Sequence, residues 1–205
     1  MILPLFYGLV AVLGVLSMGF QLLASRLLSP HFGSSIIVWA WLISTFLAAF
    51  SLGSLLGGWI SNRPGPRRRR AQLAAAGVGL GAFALTAAGG AALLDRIELA
   101  FADINAGLCV SCLALFFVPV AALSSFGPQS VQYLAGRGTP PGAASGLVYG
   151  VSTVGNIAGV MLTAFALIPH VRVSVLLYLW LAAGGVGLAG LLAILWSDPR
   201  AANRP

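Results

Sequence analysis

The chain has 205 residues, of which 59% are hydrophobic and only 7% are charged, and its mean hydropathy is +0.98. Four acidic and eleven basic residues cannot cover a soluble domain of this length, so the composition excludes that class and indicates an integral membrane protein. The net charge of +7 does not indicate nucleic acid as a partner, because most arginines lie in short segments beside apolar stretches, where they direct topology and attract anionic lipids.

Six apolar stretches are long enough to cross a bilayer, whose hydrocarbon core of about 30 Å needs roughly 20 residues of α-helix. The first stretch has no basic segment before it and no small-residue cleavage site after it, so we expect a retained helix instead of a signal peptide. The sequence predicts an all-α integral membrane domain over 1–197, followed by a short cytoplasmic tail at 198–205. Its transmembrane helices are predicted at about 3–23, 36–60, 72–94, 108–126, 143–168 and 173–196.

Polar residues and turn formers predict the connections between these helices. Residues 25–35 are predicted to form the first turn, and residues 127–142 an interfacial loop that contains a short amphipathic run. A strongly basic loop is predicted after the second helix. Its residues include Asn62, Arg63, Arg67, Arg68, Arg69 and Arg70.

The arginine distribution predicts the orientation of the chain. With the basic loop in the cytoplasm, that side also receives Arg137, Arg200 and Arg204, whereas only Arg26, Arg96 and Arg172 lie on the outer side. This positive-inside bias predicts a multi-pass protein of the bacterial inner membrane with both termini in the cytoplasm.

The second and fifth helices share a pattern of small residues. Residues 51–57 read Ser-Leu-Gly-Ser-Leu-Leu-Gly, and residues 153–159 read Thr-Val-Gly-Asn-Ile-Ala-Gly. Each helix is the second in its set of three, and the two cross the membrane in opposite directions, as an inverted 3+3 repeat requires. The alternative is that glycine at every fourth residue is common wherever membrane helices touch.

Two resemblances follow from these segments. Residues 58–68, GWISNRPGPRR, resemble the signature between the second and third helices of the major facilitator superfamily, with Asn62 in place of its acidic residue. This implies a fold like one six-helix half of such a transporter. Because Asn62 replaces the acidic residue, the resemblance implies that this chain shares the architecture of that family more than its transport activity.

The second resemblance covers nearly the whole chain. Residues 20–39, FQLLASRLLSPHFGSSIIVW, and residues 146–169, GLVYGVSTVGNIAGVMLTAFALIP, resemble blocks in the membrane domain of fused major-facilitator/spermidine-synthase proteins, with Gln21 where that family tends to have glutamate. Many of those proteins carry an aminopropyltransferase-like domain after the last helix. This chain stops at Pro205, so we expect no enzyme activity and no cofactor on this chain alone, and place any such chemistry on a partner polypeptide.

Several residues are candidates for binding on the outer side. Arg26 either extends to the outer headgroups or, with His31, His170 and Arg172, forms a site for an anion, with Gln21 as a further contact. His31 and His170 fall on the same predicted side and are therefore candidate metal ligands, although no third ligand motif accompanies them.

Three polar features lie within the apolar spans. Cys109 and Cys112 are one turn apart and are either a redox pair or core residues. Asn156 and Ser54 occupy matching places in the two glycine patterns. They form either an interhelical hydrogen bond, typically about 0.6 kcal/mol, or a contact to a substrate or partner.

Three functions are consistent with these residues. The first is a non-catalytic membrane module of the spermidine-synthase-like family that anchors or serves a partner enzyme or a larger membrane complex. The second is a half-size transporter for a small solute, an anion being one option, that acts as a homodimer. The third is a membrane thiol redox protein.

Overall fold

The structure, a computed structural model, describes residues 2–197 and contains six long helices. Each is long and apolar enough to cross a membrane, which confirms the prediction of six candidate transmembrane helices, and no strand occurs among the described residues. The predicted tail, with Arg200 and Arg204, lies outside them. The helices are α1 (Ile2–Phe32), α2 (Ile36–Ser61), α3 (Gly65–Ala100), α4 (Ile104–Gly136), α5 (Pro141–Leu167) and α6 (Val173–Trp196).

Several helices extend beyond the apolar spans. The first turn is confined to residues 33–35, so Arg26 lies within α1. The predicted basic loop is wrong for Arg67, Arg68, Arg69 and Arg70, which lie in the first two turns of α3. The interfacial loop predicted at 127–142 is also wrong for most of its length, because α4 continues to Gly136. Charged residues mark where a helix leaves the hydrocarbon, but the helix itself can continue in the headgroup region.

Residues with defined turn chemistry form the connections. Gly33 follows α1 with a φ of +73°, a left-handed conformation that glycine adopts without steric cost. The Ser35 hydroxyl accepts a hydrogen bond of 3.4 Å from a first-turn amide of α2, and the Asp103 carboxylate accepts two from the start of α4. Pro66 lies in the first turn of α3, where its missing N–H has no helical partner to lose.

The centre of the bundle is aromatic. The ring centroid of Phe20 on α1 lies 4.5 Å from that of Phe83, 5.7 Å from that of Phe116 and 5.8 Å from that of Phe46. These rings join α1, α2, α3 and α4, at separations where aromatic pairs attract. Around this centre, α1 packs mainly against α5 and α6, whereas α4 packs mainly against α2 and α3.

Glycine allows α5 to lie directly on α1. A Cβ atom at Gly155 would fall well inside 3.0 Å of the Ala11 carbonyl oxygen, and one at Gly159 would meet that of Val15 in the same way. On the other side of the bundle, Gly53 and Gly57 bring α2 onto α4 at the carbonyl oxygens of Ala121 and Ser125. Small residues at helix interfaces permit this approach in membranes.

A hydrogen bond from α3 replaces one that a proline removes from α4. Pro119 cannot donate a hydrogen bond to the carbonyl four residues earlier, that of Leu115, which lies in a widened π-helical stretch at Leu113–Phe117. The buried Thr86 hydroxyl donates to that carbonyl at 2.7 Å. An interhelical hydrogen bond therefore takes the place of the lost one.

The α1–α5 contact generates a stability prediction. We expect Gly155→Ala to destabilise the protein by about 1–3 kcal/mol, because the added methyl must push α5 away from the Ala11 carbonyl. Gly150→Ala is the matched control, since a Cβ at Gly150 has nothing within 4 Å. Thermal unfolding in detergent measures both. Equal unfolding temperatures for the two variants would contradict the prediction.

Candidate functional site

A cavity of about 220 Å³ lies between α1, α2, α4 and α5. Hydroxyl and amide groups that gather in an apolar membrane-spanning bundle mark a candidate functional site. We refer to this site as the serine-lined cavity. Its polar lining, apart from the Tyr149 ring, consists of Ser17, Ser54, Ser124, Ser130, Ser152 and Asn156.

Ser54 and Asn156, which were paired in the sequence pattern, both line the serine-lined cavity. The Oδ1 atom of Asn156 is buried and has no hydrogen-bond partner among the described residues. Gly14 leaves room for this amide, since a Cβ there would lie 3.2 Å from Oδ1 and 3.1 Å from the Asn156 backbone nitrogen. Oδ1 therefore does not make the interhelical hydrogen bond that was one of the two alternatives for this side chain.

Two serines of α4 turn their protons away from the cavity. The Ser130 hydroxyl donates to the Phe126 carbonyl at 2.8 Å. The Ser124 hydroxyl donates to the Ala121 carbonyl at 3.1 Å and lies 3.3 Å from the Ala49 carbonyl of α2. A hydroxyl has one proton and two lone pairs, so each oxygen can still accept a hydrogen bond.

Gln21 lines a second cavity, of about 390 Å³, between α1 and α2, where Val160 of α5 also contributes. Most of its wall is apolar and includes Trp39 and Phe46, and Phe50 lines both this cavity and the serine-lined cavity. Arg26 does not line this cavity and is exposed on α1. The structure therefore gives Gln21 and Arg26 different surroundings.

The two histidines make separate contacts. His31 Nδ1 lies 3.0 Å from Glu98 Oε2 and 3.6 Å from Asp95 Oδ1, which ties the end of α1 to the end of α3. His170 Nδ1 lies 2.8 Å from the Ala166 carbonyl oxygen at the end of its own helix. Across residues 2–197, no three His, Cys, Asp or Glu side chains are grouped as a metal site. Because carboxylates face His31, its surroundings do not favour an anion.

Cys109 and Cys112 are free thiols on α4. Cys112 is fully buried, and its thiol is within hydrogen-bond reach of Thr45 on α2, whereas Cys109 is partly exposed. This packing suits a small core residue at Cys112. The redox hypothesis itself stays a prediction.

Aromatic rings support several basic residues at one end of the bundle. The Arg63 guanidinium lies 3.7 Å from the Trp59 ring centroid, and that of Arg69 lies 5.6 Å from the Trp196 centroid. Arg137 both stacks on Tyr133 and donates a hydrogen bond to its hydroxyl. We call this region the arginine-rich end. It comprises Arg63, Arg67, Arg68, Arg69, Arg70 and Arg137, next to Asn62 in the turn after α2.

A chain of hydrogen bonds runs from the arginine-rich end into the bundle. Arg69 donates to the Trp196 carbonyl at 3.2 Å, and the Trp196 indole donates to Gln72 Oε1 at 2.8 Å. Gln72 Nε2 then donates to Gln129 Oε1 at 2.8 Å, and Gln129 Nε2 donates to the Ser125 carbonyl at 2.9 Å. We call this chain the glutamine relay. Its two glutamines are each 3% exposed and join α3, α4 and α6.

The glutamine relay was not predicted from the sequence. The available signal was the presence of two amides, Gln72 and Gln129, next to long apolar stretches. Two buried hydroxyls were missed as well: Ser61 and Thr163 each follow the second glycine of their pattern by four residues, and neither side-chain oxygen has a partner among the described residues. The shared pattern of α2 and α5 is therefore longer than predicted.

No protein-family model, curated protein or solved structure matches this chain. Its function is therefore argued from its own geometry. That geometry provides an uncharged cavity, whose largely apolar wall carries several hydroxyl groups and one amide, and a basic surface supported by aromatic rings at one end.

The glutamine relay generates a second stability prediction. We expect Gln72→Leu to lower the free energy of unfolding by about 1–3 kcal/mol, because it leaves the buried Gln129 oxygen and the partly buried Trp196 indole N–H without partners. In the Gln72→Leu background, Gln129→Leu should lower the free energy of unfolding by less than it does in the native chain, because both changes break one network. Unfolding of the native chain, the two single variants and the double variant in detergent gives this double-mutant cycle. Gln132→Leu, at a partly buried glutamine, is the control. Full additivity of the two changes would contradict the relay.

Proposed function

We propose that this chain is a non-catalytic membrane module that anchors or serves a partner protein at its arginine-rich end. The observation that carries the proposal is the aromatic support of Arg63, Arg69 and Arg137. A charged side chain that is already held in place loses little conformational entropy when it binds. A positioned basic surface suits an acidic surface on a partner.

The charge distribution supports the same proposal. Among residues 2–197, all acidic side chains, those of Asp95, Glu98 and Asp103, belong to the opposite end of the bundle. An acidic partner would therefore be steered toward one end only. By the positive-inside rule this end is cytoplasmic, and it would there face a soluble polypeptide. The resemblance to spermidine-synthase-like membrane domains favours an aminopropyltransferase-like enzyme as that partner.

Purification of the full chain from its native membrane in mild detergent tests this proposal. We expect a second polypeptide to copurify, and Arg67→Gln with Arg70→Gln to reduce its yield at least about tenfold, since a close charge pair can contribute more than 1.4 kcal/mol. Arg96→Gln with Arg172→Gln is the matched control. It removes two arginines that are likewise exposed, but at the opposite end, and should leave the yield unchanged.

Two outcomes would contradict the anchoring function. One is recovery of the protein only as a monomer or homodimer. The other is an equal loss of the partner with both arginine pairs. If the arginine-rich end binds only lipid, vesicles that contain phosphatidylglycerol will retain the purified chain, vesicles of phosphatidylcholine will not, and no polypeptide will copurify.

We further propose that α1–α3 and α4–α6 are inverted copies of one three-helix unit, as in half of a major facilitator transporter. Three observations support it. Gly53 and Gly57 contact α4 as Gly155 and Gly159 contact α1. The buried hydroxyls of Ser61 and Thr163 follow at the same spacing. Finally, Gly79 of α3 lies against Ala122 of α4, and Gly187 of α6 lies at ordinary van der Waals distance from Leu13 and Val12 of α1.

A second candidate function is a half-size transporter that acts as a homodimer. The serine-lined cavity favours it, because the cavity takes residues from both three-helix units. We expect proteoliposomes to take up one member of a panel of labelled neutral, anionic and cationic solutes. Asn156→Leu should reduce this uptake at least about tenfold by removing a buried polar contact. Thr153→Val, which changes an exposed residue of α5 outside the cavity, is the control. Uptake that Asn156→Leu leaves unchanged would remove the cavity from transport.

A further inference from the structure

We infer that the serine-lined cavity binds a small uncharged solute of the polyol class, which donates hydrogen bonds through its hydroxyl groups. Its size sets the first limit. A volume of about 220 Å³ lies below the range of about 300–1,000 Å³ that is usual for sites of drug-sized ligands. A short polyol fits within such a space, whereas a drug-sized molecule would extend beyond it.

The absence of charge from the wall sets the second limit. None of the residues that the structure places around this cavity is Asp, Glu, Lys, Arg or His. An ion within a membrane-spanning bundle is costly unless a group of opposite charge or a set of hydrogen bonds accompanies it. The cavity therefore favours a neutral solute over a carboxylate or an ammonium compound, including a polyamine.

The hydrogen-bonding capacity of the wall sets the third limit. The Ser124 and Ser130 hydroxyls donate their protons to backbone carbonyls, so their lone pairs can accept hydrogen bonds from a solute. Asn156 also belongs to the wall, although its Oδ1 atom is itself buried. The Ser124 and Ser130 oxygens are acceptors, so the matching solute supplies donors. Ser17, Ser54 and Ser152 can either donate or accept, and a solute hydroxyl can do both.

The cavity is reachable from the surface of the chain. Tyr149 is one of its lining residues and is 49% exposed, so this ring forms part of the rim. Gly127 of α4 lies opposite, where a Cβ would come within 3.7 Å of the Tyr149 ring. The Tyr149 ring therefore lies at the edge of the cavity, between α4 and α5.

This inference rests on the cavity used by the second candidate function, but it concerns binding alone. Binding without uptake into proteoliposomes would leave it standing and remove the transporter. Loss of the partner polypeptide would not affect it. Its failure is thus distinguishable from the failure of either proposed function.

Calorimetric titration of the full chain, purified in detergent without glycerol, tests the inference with three matched probes. These are glycerol, its anionic analogue glycerate, and its cationic analogue serinol. We expect the affinity for glycerol to exceed that for either charged analogue at least about tenfold, because the wall offers no countercharge. Asn156→Leu and Ser130→Ala should each weaken glycerol binding, and Ser152→Leu should abolish it by filling the cavity.

Thr153→Val is the control for these variants, because Thr153 adjoins Ser152 on α5 but its exposed hydroxyl donates to the Tyr149 carbonyl outside the cavity. Only variants whose unfolding temperature stays near that of the native chain are compared. Three substitutions are used so that the test does not depend on the folding of any one variant. The inference is overturned if the native chain does not bind glycerol, if glycerate or serinol binds equally well, or if every folded cavity variant binds glycerol unchanged.

Discussion

The contact between a glycine-bearing helix and the carbonyl oxygens of its neighbour is the constraint on which the bundle depends. In lipid, two apolar helices gain little from leaving the solvent, so they associate through close packing. Gly155 and Gly159 allow this for α5 on α1, and Gly53 and Gly57 allow it for α2 on α4. Ser54 and Asn156 each follow one of these glycines in the sequence and line the serine-lined cavity. The cavity therefore lies beside both close contacts.

Length and apolarity were sufficient to predict six helices, because crossing a bilayer leaves a backbone few alternatives. They did not predict the helix ends: arginines at the start of α3 and acids at its end are compatible with both loop and helix outside the hydrocarbon. Ser54 and Asn156 could be paired because their surroundings in the sequence match. His31 and His170 were placed on one side of the membrane, but side alone does not fix distance, and the helices that carry them give each a different partner.

Polar groups within this bundle divide into those that satisfy each other and those that do not. The Thr86 hydroxyl donates to the Leu115 carbonyl, to which Pro119 cannot donate, and the Gln72 amide donates to Gln129. Such bonds depend on the rotation of one helix against another, which a single sequence does not specify, so they were not predicted. Asn156 Oδ1 stays without a partner, and an unsatisfied buried acceptor is unfavourable unless something binds to it. The side-chain oxygens of Ser61, Ser111 and Thr163 are likewise buried without a partner, but these residues lie outside the serine-lined cavity.

Gln129 and Ser130 are consecutive residues of α4, yet their side chains lie in different surroundings. Gln129 is bonded to Gln72 and so to the arginine-rich end, while Ser130 faces the serine-lined cavity. Gln129 bonds across to α3, whereas the Ser130 hydroxyl donates within its own helix and borders the cavity. One short segment of α4 therefore carries both a hydrogen bond that fixes α4 against α3 and part of the cavity wall. The position of that wall is set by the contact between two buried amides.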